Sequence, residues 1–250
     1  MANQYFVNQT LPENDFVISD KETAHHMFTV MRLSAGSEVK IVFKEEKLAV
    51  CKVINPEEKK LTLIKLLDKQ TELPIEVTVA LGFPKGDKLD FITEKVTELG
   101  AKAIWAAPFE RSIVKWKAEK LKKRQEKLQK ISKGAAEQSG RLRLPEIQLF
   151  EKHSSLIERF SDFDSIIIAY EESAKKGENS RLIETLLKKP KKLLIIFGPE
   201  GGISEREIKE FETYDVNLVA LGPRILRAET APLYALSVIS SFFELKNDIH

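Results

Sequence analysis

The chain has 250 residues, 42% hydrophobic and 31% charged, with a formal net charge of +2 and one cysteine, Cys51. That length suffices for one large domain or two small ones, and the composition excludes a disordered chain. Apolar runs such as Ser165–Tyr170 and Leu193–Phe197 are strand-sized, far short of the roughly 20 residues of a membrane helix, and with no disulfide partner and no signal-peptide pattern at Met1–Phe6 the expectation is a cytoplasmic protein.

Residues 1–72 read as β-rich. Ser37–Phe43, Lys47–Ile54 and Lys59–Leu67 alternate or run apolar with many β-branched residues. A short helix after Asp20 carries His25 and His26. Cys51 lies in the apolar stretch Leu48–Val53 and reads as a buried strand residue. Several short strands and one helix suggest a small barrel-like domain.

After Glu72-Leu73-Pro74 strands and helices alternate. Ile75–Gly82 reads as a strand and Asp87–Leu99 as a helix closed by Gly100. Lys102–Ala107 is a strand, and a long helix covers Trp116 to Glu137. Then come strand Ser165–Tyr170, helix Arg181–Leu187, strand Leu193–Phe197, helix Ser204–Phe211, strand Val216–Leu221 and helix Leu233–Leu245. Such alternation predicts an α/β domain, residues 73–250, with a mostly parallel sheet.

Two loops stand out. The strand ending at Phe197 runs into Gly198-Pro199-Glu200-Gly201-Gly202, and Ser204-Glu205-Arg206-Glu207 then matches a capping box. Glycines between a buried strand end and a helix start let a backbone approach a ligand. The loop fits neither common phosphate-binding pattern, and Glu200 would repel a pyrophosphate. A cationic or neutral ligand suits it better, with a plain strand–helix turn as the alternative. About 24 residues on, Leu221-Gly222-Pro223-Arg224-Ile225-Leu226-Arg227-Ala228-Glu229-Thr230-Ala231 follows the next strand. The two strand ends are expected side by side, with Arg227 and Glu229 near the first loop. The alternative is a salt bridge that caps the last helix.

This pair of loops closely resembles the SPOUT-class RsmE family of RNA methyltransferases. Thr97-Glu98-Leu99-Gly100, Glu110-Arg111-Ser112 and Glu137-Gln138-Ser139-Gly140-Arg141 resemble further segments of that family. His25-His26, Val30-Met31-Arg32-Leu33 and Gly36 resemble its PUA-like start. The resemblance implies an α/β fold: a trefoil-knotted SPOUT domain at residues 73–250 behind a PUA-like, RNA-binding β-barrel at residues 1–72. It also implies S-adenosyl-L-methionine as cofactor, N3 of a uridine in small-subunit ribosomal RNA as acceptor, and a homodimer. The implied cofactor loops are Ala169, Tyr170 and Glu171; Phe197, Gly198, Pro199, Glu200, Gly201 and Gly202; and Leu221, Gly222, Ile225, Leu226, Arg227, Ala228, Thr230 and Ala231. The ribose-methylating branch usually has an Asn-bearing Ser-Leu-Asn-Val segment where this chain has Leu226–Thr230, which favours a base as acceptor.

Uracil N3 carries a proton, so the site needs a base or donors that stabilise the anion on O2 and O4. Arg227 is the first candidate donor, ahead of Arg141 and Arg111. Glu229 reads first as a group that orients an arginine and Glu200 as part of the ligand loop, with acceptance of the proton as the alternative for each. Arg32, Arg111, Lys115, Gln138, Arg141 and Arg224 are the candidate RNA contacts. Lys115–Lys133 carries nine Lys/Arg and two Glu, whereas residues 1–72 carry ten Lys/Arg and eleven Asp/Glu. That basic helix is an RNA-binding face or a solvated one. No metal is expected, since His25, His26, His153 and His250 form no ligand spacing with other residues. The rival functions are a SPOUT enzyme acting on another RNA nucleotide and a non-catalytic RNA-binding or ribosome-assembly protein.

Overall fold

The computed structural model describes residues 3–172 and 180–245; His250 lies outside the described residues. One compact unit gathers the residues up to Glu72 with Ala136–Arg143, and the other holds Leu73–Ala135 and the residues from Leu144 onward.

The first unit is built on a five-stranded sheet. Its strands are β1 (Gln4–Phe6), β2 (Asp15–Val17), β3 (Glu38–Val42), β4 (Leu48–Asn55) and β5 (Lys60–Leu67), in the order β1-β3-β4-β5-β2. Only β1 and β3 run parallel. Strand β4 shows the period of two that sets its register: Ala49, Cys51 and Val53 are buried, while Lys52 and Ile54 face out. Helix α1 (Lys21–His25) starts where the Asp20 carboxylate accepts the Thr23 amide at 2.7 Å, and a π-helical turn, His26–Val30, extends it. Core side chains include Tyr5, Phe16, Met27, Ile41 and Leu61. The segment Ala136–Arg143 is stitched in by polar bonds. Gln4 donates to the Arg141 carbonyl at 2.7 Å, and Glu72 pairs with the Arg141 guanidinium while accepting the Leu142 amide at 2.9 Å.

The second unit is a six-stranded, wholly parallel sheet. Its strands are β6 (Glu76–Gly82), β7 (Ala103–Ala107), β8 (Glu146–Leu149), β9 (Ser165–Ala169), β10 (Lys192–Phe197) and β11 (Val216–Val219), in the order β11-β9-β10-β6-β7-β8. The helices are α2 (Lys88–Glu98), α3 (Ala118–Ser139), α4 (His153–Ile157), α5 (Arg181–Leu187), α6 (Glu205–Phe211) and α7 (Thr230–Glu244). Strands buried on both faces read as unbroken apolar runs. Within β10, Leu193, Ile195 and Phe197 pack in one core with Ile92, Val96 and Leu236, and Leu194 and Ile196 pack in the other with Trp105, Ile208 and Phe211.

The strand expectations need one correction. β10 and β11 are not neighbours, because β9 lies between them and pairs with both. Periodicity identifies strands and says nothing of their order. The last helix starts at Thr230 rather than Leu233, because a proline in the first turn, here Pro232, loses no helical hydrogen bond. Strands β1, β2 and β8 and helix α4, three to five residues each, go beyond the elements expected from the sequence. Such lengths are too short to display a period.

Candidate active site

Strand register decides which loops meet. Ala169 of β9 pairs with Phe197 of β10 on one side and Val219 of β11 on the other, and Phe197 pairs with Leu81 of β6. The segments leaving β9, β10, β11 and β6 therefore emerge in one row at the C-terminal edge of the sheet. Crevices outside such strand ends are where α/β sheets bind ligands.

The loop after β10 is shaped by close packing. The Gly202 amide donates to the Pro199 carbonyl at 2.8 Å, and Gly202 holds φ 73°, a left-handed conformation that suits glycine. Pro199 presses so closely on the end of β6 that a Cβ on Gly82 would lie 2.4 Å from its Cδ. Arg111 leans on Gly201, where a Cβ would meet the Arg111 Cβ at 2.9 Å, and donates from Nη1 to the Gly201 carbonyl at 3.2 Å. The loop ends in a complete capping box: the Ser204 Oγ accepts the Glu207 amide, and the Glu207 carboxylate accepts the Ser204 amide at 2.9 Å. Glu207 is buried, and its other oxygen accepts the Glu110 amide at 2.7 Å. Ser204 Oγ in turn donates to the Glu110 carboxylate at 2.7 Å. The loop after β7 is thereby fastened to the start of α6.

Lys88, the first residue of α2, draws the two glycine-bearing loops together. Its Nζ stands 3.1 Å from Glu200 Oε1 and 2.9 Å from Glu229 Oε2. Glu200 Oε1 also accepts the Lys85 amide at 3.1 Å. Close pairing with Glu229 and then with Glu200 raises the Lys88 pKa. Lys88 lowers the Glu229 pKa, helped by Glu229's own amide. At Glu200, burial pushes the carboxyl up, but bonds from its own amide, the Lys85 amide and Lys88 outweigh that and bring it below the ordinary range. All three groups are held charged at neutral pH.

The loop after β11 carries Arg227. Its carbonyl accepts the amides of Thr230 and Ala231 at 2.9 and 3.0 Å, which turns the chain into α7. Its side chain is 84% exposed, with Nη1 3.9 Å from Glu229 Oε1, so Glu229 belongs first to Lys88. Gly222 has φ 90°, and Ile225 is 74% exposed. Beside β9 the Tyr170 amide donates to the Val219 carbonyl at 3.0 Å. Burial, then the negative charge of Glu172, raises the Tyr170 phenol.

Of the candidate RNA contacts, Arg111 joins the site through Gly201, and Lys115 and Arg224 lie exposed in the same unit. Arg32 and Gln138 are also exposed, Arg32 with φ 51° at the close of the π turn. Arg141 is the exception. It is 2% exposed and bound to Glu72, so its guanidinium is part of the first unit's frame and is not available as a uracil-anion donor.

Sequence reasoning misses Lys88 and Lys85 as partners of the loops, and the bonds that tie Glu110 to Ser204 and Glu207. A signal for Lys88 is present: Lys85-Gly86-Asp87-Lys88 follows the glycine that ends β6, just as Gly198 follows β10. Among the described residues, no group of three His, Cys, Asp or Glu could hold a metal, and no helix is long and apolar enough to cross a membrane.

Residues 71–240 match the family model described as an RNA methyltransferase domain, and residues 18–66 match the RNA methyltransferase PUA domain. The chain belongs to the RNA methyltransferase family. A relative in this RNA methyltransferase family, the ribosomal RNA small subunit methyltransferase E of Bacillus subtilis, is 42% identical, with 97% of each chain covered. The protein of that name from Mesomycoplasma hyopneumoniae is 31% identical over 94% of this chain and 97% of its own. Among solved structures, a ribosomal RNA small subunit methyltransferase E from Neisseria gonorrhoeae bound to S-adenosyl methionine superposes with a TM-score of 0.81. It covers 97% of this chain and 98% of its own at 23% identity, a likeness of fold.

Proposed function

We propose that this protein transfers the methyl group of S-adenosylmethionine to N3 of a uridine in small-subunit ribosomal RNA. The observation that carries the reading is the alignment of three strand ends, Ala169, Phe197 and Val219, in one row beneath the loops expected to hold the cofactor. The residues present fit that group. At Gly202 and Gly222 a Cβ would meet nothing nearer than 3.8 Å, so both leave their backbone open to a bound molecule. Lys88, Glu200 and Glu229 together carry one net negative charge, which suits a sulfonium better than a pyrophosphate.

When bound, the cofactor supplies a methyl group already activated as a sulfonium. The chain's task is to align the acceptor and stabilise its anion. Arg227 does the second: its exposed guanidinium can donate to O2 or O4 as the N3 proton passes to solvent water, and the resulting N3 anion takes the methyl group while the cofactor leaves as its neutral thioether. Glu200 and Glu229, tied to Lys88 and held more acidic than ordinary carboxylates, are poor proton acceptors and serve to fix the loops. Arg111 and Arg224 are the nearest candidates for RNA phosphates.

The reading extends to a cytoplasmic homodimer. Sedimentation equilibrium should give twice the chain mass, and a monomer would refute that part. For the reaction, nucleosides of small-subunit RNA from a deletion strain should lack 3-methyluridine and regain it on complementation. An unchanged 3-methyluridine signal overturns the proposal, and loss of another methylated nucleoside instead reassigns the acceptor.

A further inference from the structure

Lys88 breaks a local rule. A lysine at the first position of a helix faces the positive end of the helix dipole, where acidic residues are favoured. Asp87, its neighbour at the N-cap, makes no side-chain capping bond. Residues that offend their own element are usually retained for a contact elsewhere, and here that contact is double. The ammonium reaches Glu200 in the loop after β10 and Glu229 in the loop after β11, strands that do not touch because β9 separates them. The two bonded carboxylate oxygens lie no more than about 6 Å apart. Like charges at that range repel unless a cation stands between them.

We propose that Lys88 is a positioning residue: its ammonium clasps Glu200 and Glu229, fixing the spacing of the two glycine-bearing loops around the cofactor and leaving Arg227 only loosely held, so that it can turn to the substrate. The inference rests on the reading of these loops as the S-adenosylmethionine site. Arg227 stands 3.9 Å from Glu229, whereas Lys88 stands at 2.9 Å. The Glu229 charge is compensated from the helix side by Lys88, so Arg227 is held only at 3.9 Å and its donors can turn to a developing anion. Lys85 reinforces the clasp through its amide, which holds Glu200 in place even where the lysine side chain moves.

The test uses the full chain and S-adenosylmethionine as probe, by titration calorimetry. It also uses the KM for cofactor and for RNA, and amide hydrogen exchange of the cofactor-free protein. Lys88→Met should weaken cofactor binding by about tenfold or more, the loss appearing in the KM for cofactor and not in the KM for RNA. Exchange should quicken at 198–202 and 226–231. Lys88→Arg, whose fork can hold both carboxylates, should stay within about threefold of wild type. Lys88→Met combined with Glu229→Gln should recover part of the loss by removing the repulsion. Cofactor affinity of Lys88→Met within twofold of wild type overturns the clasp, as does faster exchange throughout the chain with unchanged KM values. Failure of the wild-type protein to bind S-adenosylmethionine would instead overturn the reading of the site, and the clasp with it.

Discussion

Arg227 divides its work between main chain and side chain. The carbonyl accepts the two amides that start α7, while the guanidinium stands in solvent. Arg227→Ala therefore keeps the turn and removes only the donor. Turnover at saturating substrates should fall by roughly 100- to 1,000-fold, the usual cost of one anion-stabilising donor, with cofactor affinity within about threefold of wild type. Undiminished turnover would remove Arg227 from the mechanism. The residue types Arg227, Glu229 and Glu200 are visible in the sequence because glycine-bearing strand ends mark them. Their pairing is not visible, since Lys88 comes from a distant segment and a lysine carries no local sign of its partner. Arg141 shows the reverse failure. It reads as an RNA contact from its charge and from its place in a segment that resembles the family, and only the fold reveals that it is buried and paired with Glu72. Cys51 is legible from its apolar flanks, and burial pushes its thiol up to about 12, which keeps it protonated and unreactive.

Elements governed by neighbours in sequence are legible in the order of residues alone. Helix α6 is the clearest case: Ser204 and Glu207, three residues apart, specify its start, and the capping box forms as expected. Strands β6, β7, β9 and β10 are legible because each holds four or five apolar residues, packed on both faces of the sheet, which leaves a long signature. Their order is not, because it depends on crossovers that span whole helices. Ser204 carries more than a cap, since its hydroxyl also binds Glu110 in the loop after β7. Ser204→Ala should destabilise the protein by about 1–2 kcal/mol, the cost of a lost N-cap with some excess for the stranded Glu110 contact. The melting temperature should drop by a few degrees, at roughly 2–4 °C per kcal/mol for a chain of this size. Ser204→Asp, which can still cap the helix, should lose less than alanine if capping dominates and more if repulsion from Glu110 does.

At the scale of the whole molecule, recognition of RNA depends on how charge is distributed rather than on the near-neutral total. Helix α3 and the residues before it carry nine Lys/Arg between Lys115 and Lys133. Some are committed within the fold. Arg124 stacks over Trp116 at 5.3 Å and pairs with Asp90 at 3.6 Å, and Lys127 pairs with the same carboxylate at 2.5 Å. Lys122 and Lys123 sit exposed one turn N-terminal to Lys127, on the side away from buried Leu121 and Leu128. A face that only solubilises the helix would tolerate reversal of these charges, and a face that contacts phosphates would not. Each phosphate contact releases counterions, so losing two should lower the slope of log affinity against log salt by about two and weaken binding roughly 10- to 100-fold at moderate salt. Lys122→Glu with Lys123→Glu should therefore raise the KM for small-subunit RNA and flatten its salt dependence, while cofactor affinity and melting temperature stay at wild-type values. An unchanged salt slope would remove Lys122 and Lys123 from the RNA-binding face and leave Arg111 and Arg224, beside the strand ends proposed as the cofactor site, as the candidates to test next.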